Sequence, residues 1–284
     1  MSSTTVTTRV RYADIAGDHV YYANYLVFLE DAMVRLYRDN GLKLLGFEQE
    51  GVRTMIAECC VRYHAPARYD EVLTVTSTLD EAAPKRFRFA HRIERGPTLL
   101  LSGATTHVLW KPDGTGLQTL PDEVVRLAGR RTERVQVLES RDETPSAAPE
   151  NAIRAATRIP VRYKDTDPVG AVYFSNYLVY FEIGRTELLR SAGLSFTDMK
   201  TSGLRLPVSR AYCCYLAPAA YGDELEAAAW LSHASRVKLT FTYQISRPLD
   251  GATIARGFTT HGCLDAAGRP ARLPEQIVRL AHSA

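Results

Sequence analysis

The feature that most constrains the fold of this chain is a stretch that occurs twice, about half a chain apart. The second copy, residues 162–177, reads RYKDTDPVGAVYFSNY, and the first, residues 11–25, reads RYADIAGDHVYYANY. Further matches follow at an offset of about 152 residues, including Glu30 with Glu182 and Ile93 with Ile245. A repeat of this length predicts two copies of one folded unit.

Composition limits the classes of function open to the chain. Apolar residues make up 45% of the 284 residues and charged residues 24%, which is typical of a globular protein. The net charge of +3 is small and the basic residues are scattered, so no nucleic-acid partner is expected. No apolar run approaches the roughly 20 residues that span a bilayer, and the N-terminus lacks an export signal. We therefore expect a cytoplasmic protein without a membrane span.

The cysteines indicate neither a metal site nor a redox site. No Cys-x-x-Cys pair occurs, and no His or Asp stands at ligand spacing from an adjacent pair. Because neighbouring strand residues point to opposite faces, one member of each adjacent pair is expected to be buried. No metal is predicted. The five cysteines are Cys59, Cys60, Cys213, Cys214 and Cys263.

Each half shows the same order of predicted elements: a strand, one long helix and four further strands. In the first half, a strand over residues 6–12 precedes a helix from Asn24 whose apolar residues recur every three or four positions until Gly41. In the second half, a strand over residues 159–163 precedes a helix over residues 176–192. The later segments alternate apolar and polar residues, as half-buried strands do.

A single helix with an aromatic stripe needs a sheet to cover it, and consecutive strands can curl around it. The predicted fold class is therefore α+β, with a curved antiparallel sheet wrapped around one long helix in each half. Residues 131–156 are rich in Glu, Arg, Ser, Pro and Ala and lack clear periodicity. They are predicted to link a domain of residues 1–130 to a domain of residues 157–284.

The second half resembles a known family. Its Asp-x-Asp-Pro-x-Gly-x-Val-Tyr-Phe-x-Asn-Tyr motif, followed by a long helix and a meander with Tyr215, Pro218 and Asp223, is similar to the hotdog-fold acyl-CoA thioesterases of the 4-hydroxybenzoyl-CoA type. Residues 158–280 match almost throughout, and residues 9–127 match more loosely. The resemblance implies a tandem double hotdog, in which one duplicated chain imitates the usual homodimer.

The resemblance also implies a substrate class. A thioesterase of this kind hydrolyses an acyl-CoA or acyl-carrier-protein thioester to a free acid and a thiol. CoA or phosphopantetheine enters as part of the substrate, so no separate cofactor is predicted. Because hotdog folds also pair through their outer sheet faces, a homo-oligomer of double-hotdog chains is expected, as a dimer or a larger assembly.

Family likeness places the chemistry in the turn before the second long helix. Thioester hydrolysis needs a carboxylate that attacks the carbonyl carbon or activates water, and N–H donors that meet the developing oxyanion. The family's catalytic acid corresponds to Asp167 and its oxyanion donor to the backbone N–H of Phe174, while Gly170 lets the thioester approach the backbone. On pattern alone, Asp167 fits a turn-forming role equally well, and Asp165 is expected to hold the turn.

Neighbouring residues are candidate substrate contacts. Asn176 fits a substrate contact or, in preference, the N-cap of the helix. Glu182 either lines the acyl channel or pairs with Arg185, and Tyr173 is predicted to contact substrate. Because hotdog sites lie between two paired folds, two first-half residues are also expected to border the second-half pocket. They are Tyr22 and Asn24.

The first copy departs from the motif at its acid. Its loop is one residue shorter, so Asp14 aligns with Asp165. The position of Asp167 falls at Ala16 or in the gap beside Gly17. We interpret this copy as a degenerate site that is kept for structure.

Alternatives to this interpretation stay open. Asp18 stands where the family has glycine and could serve as the acid with His19 as its partner, and both are candidate substrate contacts. The Asp14 and His19 spacing also matches hotdog enoyl hydratases and dehydratases. The Val-Tyr-Tyr-x-Asn-Tyr segment resembles enediyne-type polyketide thioesterases, which lack the acid and act on carrier-protein-bound chains. A non-catalytic acyl-thioester-binding protein is the remaining alternative.

Basic residues near the starts of corresponding strands are candidates for binding CoA phosphates. A solvated strand face accounts for any one of them as well. His107 and His261, at equal places in the last strand of each half, are interpreted as structural. The basic candidates are Lys85, Arg86 and Arg88 in the first half and Arg236 and Lys238 in the second.

Overall fold

The computed structural model describes residues 2–41, 51–111, 113, 115–130 and 153–282. The chain divides into two compact units, Met1–Leu138 and Glu139–Ala284, called here the first unit and the second unit. Most of the predicted linker, residues 131–156, lies outside the described residues. The domain boundaries at residues 130 and 157 therefore stay a prediction.

The described part of the first unit holds eight strands and two α-helices. In chain order they are β1 (Ser2–Arg9), β2 (Ile15–Ala16), β3 (His19–Val20), α1 (Asn24–Asp39), β4 (Arg53–Tyr63), β5 (Val72–Ala83), β6 (Arg86–Arg95), β7 (Thr98–Lys111), β8 (Gly116–Gln118) and α2 (Asp122–Leu127). A 3₁₀ turn, Tyr12–Asp14, joins β1 to β2.

The described part of the second unit has the same order for its five longer strands and its long helix. Its elements are β9 (Arg154–Pro160), α3 (Asn176–Ser191), α4 (Phe196–Thr201), β10 (Val208–Tyr215), β11 (Glu224–Ala234), β12 (Lys238–Arg247), β13 (Ala252–Gly262) and α5 (Glu275–His282). A 3₁₀ turn, Tyr163–Asp165, follows β9 at the place that Tyr12–Asp14 has after β1.

Each unit builds one antiparallel sheet, with the same order of strands. The order is β1-β5-β6-β7-β4 in the first unit and β9-β11-β12-β13-β10 in the second. The registers also correspond, since Phe89 lies opposite Thr105 and Phe241 lies opposite Thr259. The predicted arrangement of strand, long helix and four-stranded meander is therefore present twice.

The long helix of each unit buries one face against its sheet. Helix α1 packs on β1 and β5, and α3 packs on β9, β11 and β12. The eight buried positions of α1 recur in α3 at the same spacing, and the one change from an apolar to a charged residue is from Met33 to Arg185. Complete burial of a large apolar side chain contributes roughly 1.5–3 kcal/mol, so this stripe is a main source of each unit's stability.

The first strand of each unit ends earlier than the pattern predicts. The strand expected over residues 6–12 ends at Arg9, and the one expected over residues 159–163 ends at Pro160. In both units the chain then coils into a 3₁₀ turn held by an aspartate. Strand β9 also begins at Arg154, inside the predicted linker, because its small residues carry little apolar signal.

Two equivalent glycines mark a close approach of backbone to backbone. A Cβ added to Gly257 of β13 would meet the Tyr212 carbonyl oxygen and two ring carbons of Phe181, at 2.6 and 2.7 Å. In the first unit, a Cβ on Gly103 of β7 would meet the Cys60 carbonyl oxygen and Val61. Each sheet therefore has a position that admits glycine only.

Buried histidines are expected to make stability depend on pH. Burial, with a smaller effect of His107, lowers the pKa of His91 to about 3, and burial lowers the pKa of His107 to about 3. Burial, with the positive charge of Arg185, also lowers the pKa of His261 to about 3. An unfolded histidine binds its proton near pH 6.5, so the unfolded chain gains protons first as the pH falls.

We therefore expect the free energy of unfolding to be highest above about pH 6.5 and to decline as the pH falls toward 5. The window from pH 6.5 to 5 lies above the ordinary titration of carboxylates. Urea denaturation at several pH values measures the slope. Equal stability at pH 7 and pH 5 would contradict this account.

Other expectations from composition can be compared with the described residues. None of the helices in the described ranges is long and apolar enough to cross a bilayer. The cysteines are free thiols. Each adjacent pair has a buried member, as expected: Cys59 and Cys60 are both buried, and Cys213 is buried beside the half-buried Cys214.

Candidate active site

An arginine–aspartate pair fixes the chain just before the predicted catalytic turn. The Arg162 guanidinium donates to both carboxylate oxygens of Asp165, at 2.9 and 3.0 Å, and the Arg162 N–H donates to the same carboxylate at 3.0 Å. Burial disfavours this charge, but the contacts with Arg162 and the nearby Lys164 outweigh it and lower the pKa of Asp165. Asp165 therefore stays ionised and holds the turn, as expected from the sequence.

Asp167 lies at the start of a tight turn, residues 167–171, called here the acid turn. Its Oδ1 accepts hydrogen bonds from the N–H groups of Val169 and Ala171, at 3.0 and 3.1 Å. The Asp167 N–H in turn donates to the Ala171 carbonyl at 2.8 Å, and Gly170 supplies the left-handed residue, with φ of +83°. The carboxylate is thus held in one place by backbone groups.

The acid turn leads directly into the start of α3. The Tyr173 N–H donates to the Asp165 carbonyl at 2.8 Å, and the Tyr215 hydroxyl donates to the Phe174 carbonyl at 3.0 Å. The N–H of Phe174 makes no hydrogen bond within the described residues. Phe174 is three positions after Ala171, so this donor lies at most about 11 Å from the end of the acid turn.

The N-cap expected at Asn176 is wrong. Asn176 is the first residue of α3, and Ser175 precedes it in helical geometry without a capping side chain. The Asn176 Nδ2 instead donates to the Asp165 carbonyl at 2.8 Å. The local pattern resembles a cap in sequence, but the amide ties the helix back to the 3₁₀ turn.

A single substitution distinguishes these two roles. A carboxylate caps a helix as well as an amide does, and negative charge is favourable at a helix N-terminus. A carboxylate cannot donate to the Asp165 carbonyl, so we expect Asn176→Asp to lower the free energy of unfolding by about 1–3 kcal/mol in urea denaturation. The equivalent Asn24→Asp is expected to act likewise, because Asn24 Nδ2 donates to the Asp14 carbonyl at 3.1 Å. Unchanged or increased stability would show that donation is unimportant.

The first unit reproduces the scaffold of this site. The Arg11 guanidinium binds the Asp14 carboxylate at 2.9 and 3.2 Å, as Arg162 binds Asp165. The Tyr63 hydroxyl donates to the Tyr22 carbonyl at 2.8 Å, as Tyr215 does to Phe174. The predicted alignment of Asp14 with Asp165 therefore agrees with their contacts.

The two units differ in the residue that stands at the position of Asp167. In the first unit, Ala16 pairs with His19 across the β2–β3 hairpin, and Gly17 and Asp18 form a two-residue turn. The corresponding pair in the second unit is Asp167 with Ala171. The backbone pairing thus selects Ala16, of the two positions left open by the sequence, as the equivalent of Asp167.

The geometry gives no support to a hydratase site made of Asp14 and His19. Both carboxylate oxygens of Asp14 are bound by Arg11, and Asp14 is buried. The His19 Nδ1 lies 2.9 Å from Asp18 Oδ1. The sequence spacing of Asp14 and His19 matches the hydratase pattern. In the structure, however, each of these side chains has a different partner.

Glu182 pairs with the buried Arg185 along α3. The Glu182 Oε2 lies 3.6 Å from the Arg185 Nη2, and the Glu182 side chain is 39% exposed. Arg185 is buried, and its charge adds to the effect of burial in lowering the pKa of His261. Of the two roles expected for Glu182, the structure supports the ion pair; nothing in it tests a contact with substrate.

The basic candidates for phosphate binding lie at two equivalent hairpin turns. Lys85 and Arg86 are exposed between β5 and β6, and Arg236 and Lys238 are exposed between β11 and β12. Arg88 differs from them, because it is largely buried and its Nη2 lies 2.7 Å from Asp80. Arg88 is therefore a structural residue, and the other four stay candidates.

A surface cavity of about 410 Å³ opens elsewhere in the second unit. Its walls come from Gly222–Glu224 and Arg247–Leu249. Arg247 and Asp223 in this wall are paired at 2.9 Å. None of the predicted site residues lines this cavity, so it is not a candidate for the reaction centre.

Comparison with known proteins identifies the family. The thioesterase-like superfamily matches residues 9–127 and again residues 161–280. A 1,4-dihydroxy-2-naphthoyl-CoA hydrolase of Nostoc punctiforme is 30% identical over 121 residues, which are 42% of this chain and 80% of the relative. The acyl-CoA thioester hydrolase YbgC of Escherichia coli is 31% identical over 102 residues, which are 36% of this chain and 76% of the relative.

A solved structure extends the likeness in fold to almost the whole chain. The 12:0-ACP thioesterase of Umbellularia californica has a TM-score of 0.73 and 12% identity, with 92% of this chain and 94% of that chain covered. This likeness confirms the predicted tandem double hotdog, and the relatives named above confirm the predicted enzyme class, a thioester hydrolase. Since one family matches both halves of the repeat, this chain belongs to the thioesterase-like superfamily.

Proposed function

We propose that the chain hydrolyses an acyl-CoA or acyl-carrier-protein thioester, with Asp167 of the second unit as the reacting carboxylate. The observation that carries the proposal is the acid turn itself. It presents a carboxylate fixed by two backbone N–H groups, directly before a helix whose entrance holds the N–H of Phe174, a donor without a partner in the part of the chain that the structure describes. A fixed acid beside an oxyanion donor is what thioester hydrolysis requires.

The turn-forming contacts of Asp167 support this role rather than competing with it. A carboxylate has two oxygens and about four acceptor positions, so Oδ1 can hold the turn while the group still reacts. Holding the carboxylate in advance removes the cost of ordering it when the substrate binds. Asp167 is thus both a turn residue and a reacting group.

In the proposed reaction, Asp167 takes a proton from water as the water oxygen bonds to the thioester carbonyl carbon. The carbonyl oxygen becomes an oxyanion, which the Phe174 N–H and the positive end of α3 stabilise. The C–S bond then breaks, and the thiolate leaves with the proton that Asp167 has held. The products are one acid and one thiol.

Direct attack by the Asp167 carboxylate, through a mixed anhydride, uses the same residue. Rapid quenching of a single turnover separates the two routes. An acyl mass on the peptide that carries Asp167 would indicate the anhydride, and its absence throughout the turnover would favour water activation. In either route Gly170 supplies the left-handed conformation that the acid turn requires, with φ of +83°.

The test of the proposal is release of free thiol from a panel of short, long and aromatic acyl thioesters, each offered on CoA and on a carrier protein. Both carriers are included because one relative is named a CoA hydrolase and another an acyl-ACP thioesterase. Turnover of any member supports thioester hydrolysis and names the acyl class. Failure on every member, with folded protein, would overturn the proposal.

Binding of the CoA phosphates is proposed for the exposed hairpin residues. Replacement of a phosphate-binding residue by Ala should raise KM for CoA esters while leaving KM for short pantetheine esters unchanged. The two pairs, Lys85 with Arg86 and Arg236 with Lys238, can be tested separately. The same kinetics test the substrate contacts that we propose for Tyr173, Tyr22 and Asn24. Light scattering tests the proposed homo-oligomeric state.

A further inference from the structure

The first-unit hairpin places an imidazole where the second unit has its acid. Ala16 and His19 lie opposite each other in the β2–β3 pair, as Asp167 and Ala171 do in the acid turn. Residues that lie opposite in an antiparallel pair project to the same face, with Cβ atoms about 4.5–5.5 Å apart. His19 therefore reaches the face that carries Asp167 in the second unit, but from the other strand.

The contacts of His19 are those of an oriented base. Its Nδ1 lies 2.9 Å from Asp18 Oδ1, so the carboxylate accepts the Nδ1 hydrogen and leaves the lone pair on Nε2. Within the described residues, Nε2 makes no hydrogen bond. The Arg68 guanidinium lies 3.4 Å from Asp18 Oδ2 and helps to hold that carboxylate.

The surroundings of this pair match those of the acid turn. The Tyr21 N–H donates to the Asp14 carbonyl at 2.9 Å, as the Tyr173 N–H donates to the Asp165 carbonyl. Helix α1 then begins at Asn24, and the residue opposite His19 is Ala16, which carries only a methyl group. The first unit thus has no carboxylate at the position of Asp167. It has an acid–base group, the His19 imidazole, on the opposite strand.

We propose that His19 is the general base of a second site for thioester hydrolysis, with Asp18 as its positioning residue. His19 Nε2 takes a proton from water as the water oxygen bonds to the carbonyl carbon. The imidazolium then gives this proton to the sulfur as the C–S bond breaks, so that one acid and one thiol leave. Thioester hydrolysis is the reaction proposed for the chain, but this site does not use Asp167.

The proposal is tested in the Asp167→Asn background, on the acyl thioester that the panel selects. We expect a residual rate above spontaneous hydrolysis, and we expect His19→Ala to lower this rate by about 100-fold, the scale of general-base catalysis. Asp18→Asn should lower kcat with little change in KM, because it misorients the base without removing it. The matched control is His64→Ala, since His64 is an exposed first-unit histidine whose side chain bonds only Ser102, at 2.8 Å, within the described residues.

A rescue experiment distinguishes a base from a structural residue. Added imidazole should raise the rate of Asp167→Asn/His19→Gly by more than it raises that of Asp167→Asn/His64→Gly. The proposal is overturned if Asp167→Asn has no rate above spontaneous hydrolysis, or if His19→Ala leaves that rate unchanged. If Asp167→Asn keeps the wild-type rate and His19→Ala abolishes it, the proposed function of Asp167 fails while the first-unit site is supported.

Discussion

Asp167→Asn is expected to lower kcat for thioester hydrolysis by about 100-fold or more, the usual scale for loss of a general base. The amide keeps the size of the side chain, and its oxygen can still accept from Val169 and Ala171, so the acid turn should persist. KM should change little, because the variant removes reactivity and leaves the shape of the turn. Initial rates of thiol release across a range of substrate concentrations measure both constants.

Asp113→Asn is the matched control for this variant. Asp113 also holds a turn through Oδ1, which accepts from the Thr115 N–H at 3.0 Å, and it has no proposed role in the reaction. Its rate should equal that of the wild type within twofold. A wild-type rate for Asp167→Asn would remove Asp167 from the mechanism, whatever the panel shows about substrate.

Gly257→Ala is expected to destabilise the second unit by about 3 kcal/mol. The new Cβ would contact the Tyr212 carbonyl oxygen and the Phe181 ring at distances that no relaxed structure tolerates. Overpacking of this kind typically costs about 1–3 kcal/mol, and here backbone blocks one side of the site. Urea denaturation of wild type and variant gives the difference in the free energy of unfolding.

Gly262→Ala on the same strand is the control, since an added Cβ there meets nothing within 4 Å. Its stability should stay within about 0.5 kcal/mol of the wild type. If Gly257→Ala is too unstable to purify, Gly257→Ala with Phe181→Leu removes one of the two contacts and should recover part of the loss. Equal urea midpoints for Gly257→Ala and wild type would show that the close approach is not as tight as described.

The repeat and its hydrophobic patterns were enough to predict the fold. The buried positions of α1 and α3 recur at helical spacing, and the strands from Leu73 and from Val237 alternate in polarity, so local periodicity alone predicts one covered helix and four strands per unit. The β2–β3 hairpin could not be found in this way. Its strands have two residues each, too few for a period to appear.

The site was predictable where one motif residue acts through its own chain segment. The carboxylates of Asp165 and Asp167 accept hydrogen bonds within the turns in which they lie, and such turn contacts depend on the local sequence. The donor role of Asn176 was not predictable. An asparagine at the start of a helix gives the same sequence pattern whether its side chain accepts from the helix or donates to a preceding carbonyl. The burial of Arg185 was also not predictable, since it depends on how α3 meets its sheet.

The presence of two different turns in one chain, the Gly17–Asp18 turn and the acid turn, has a practical consequence. In an enzyme assembled from identical chains, every substitution enters all sites at once, and a single site can be silenced only by mixing subunits. Here each turn is encoded once, so Asp167 and His19 can be altered independently in the same molecule. A single point mutation therefore inactivates one site, and the other site can then be titrated on its own.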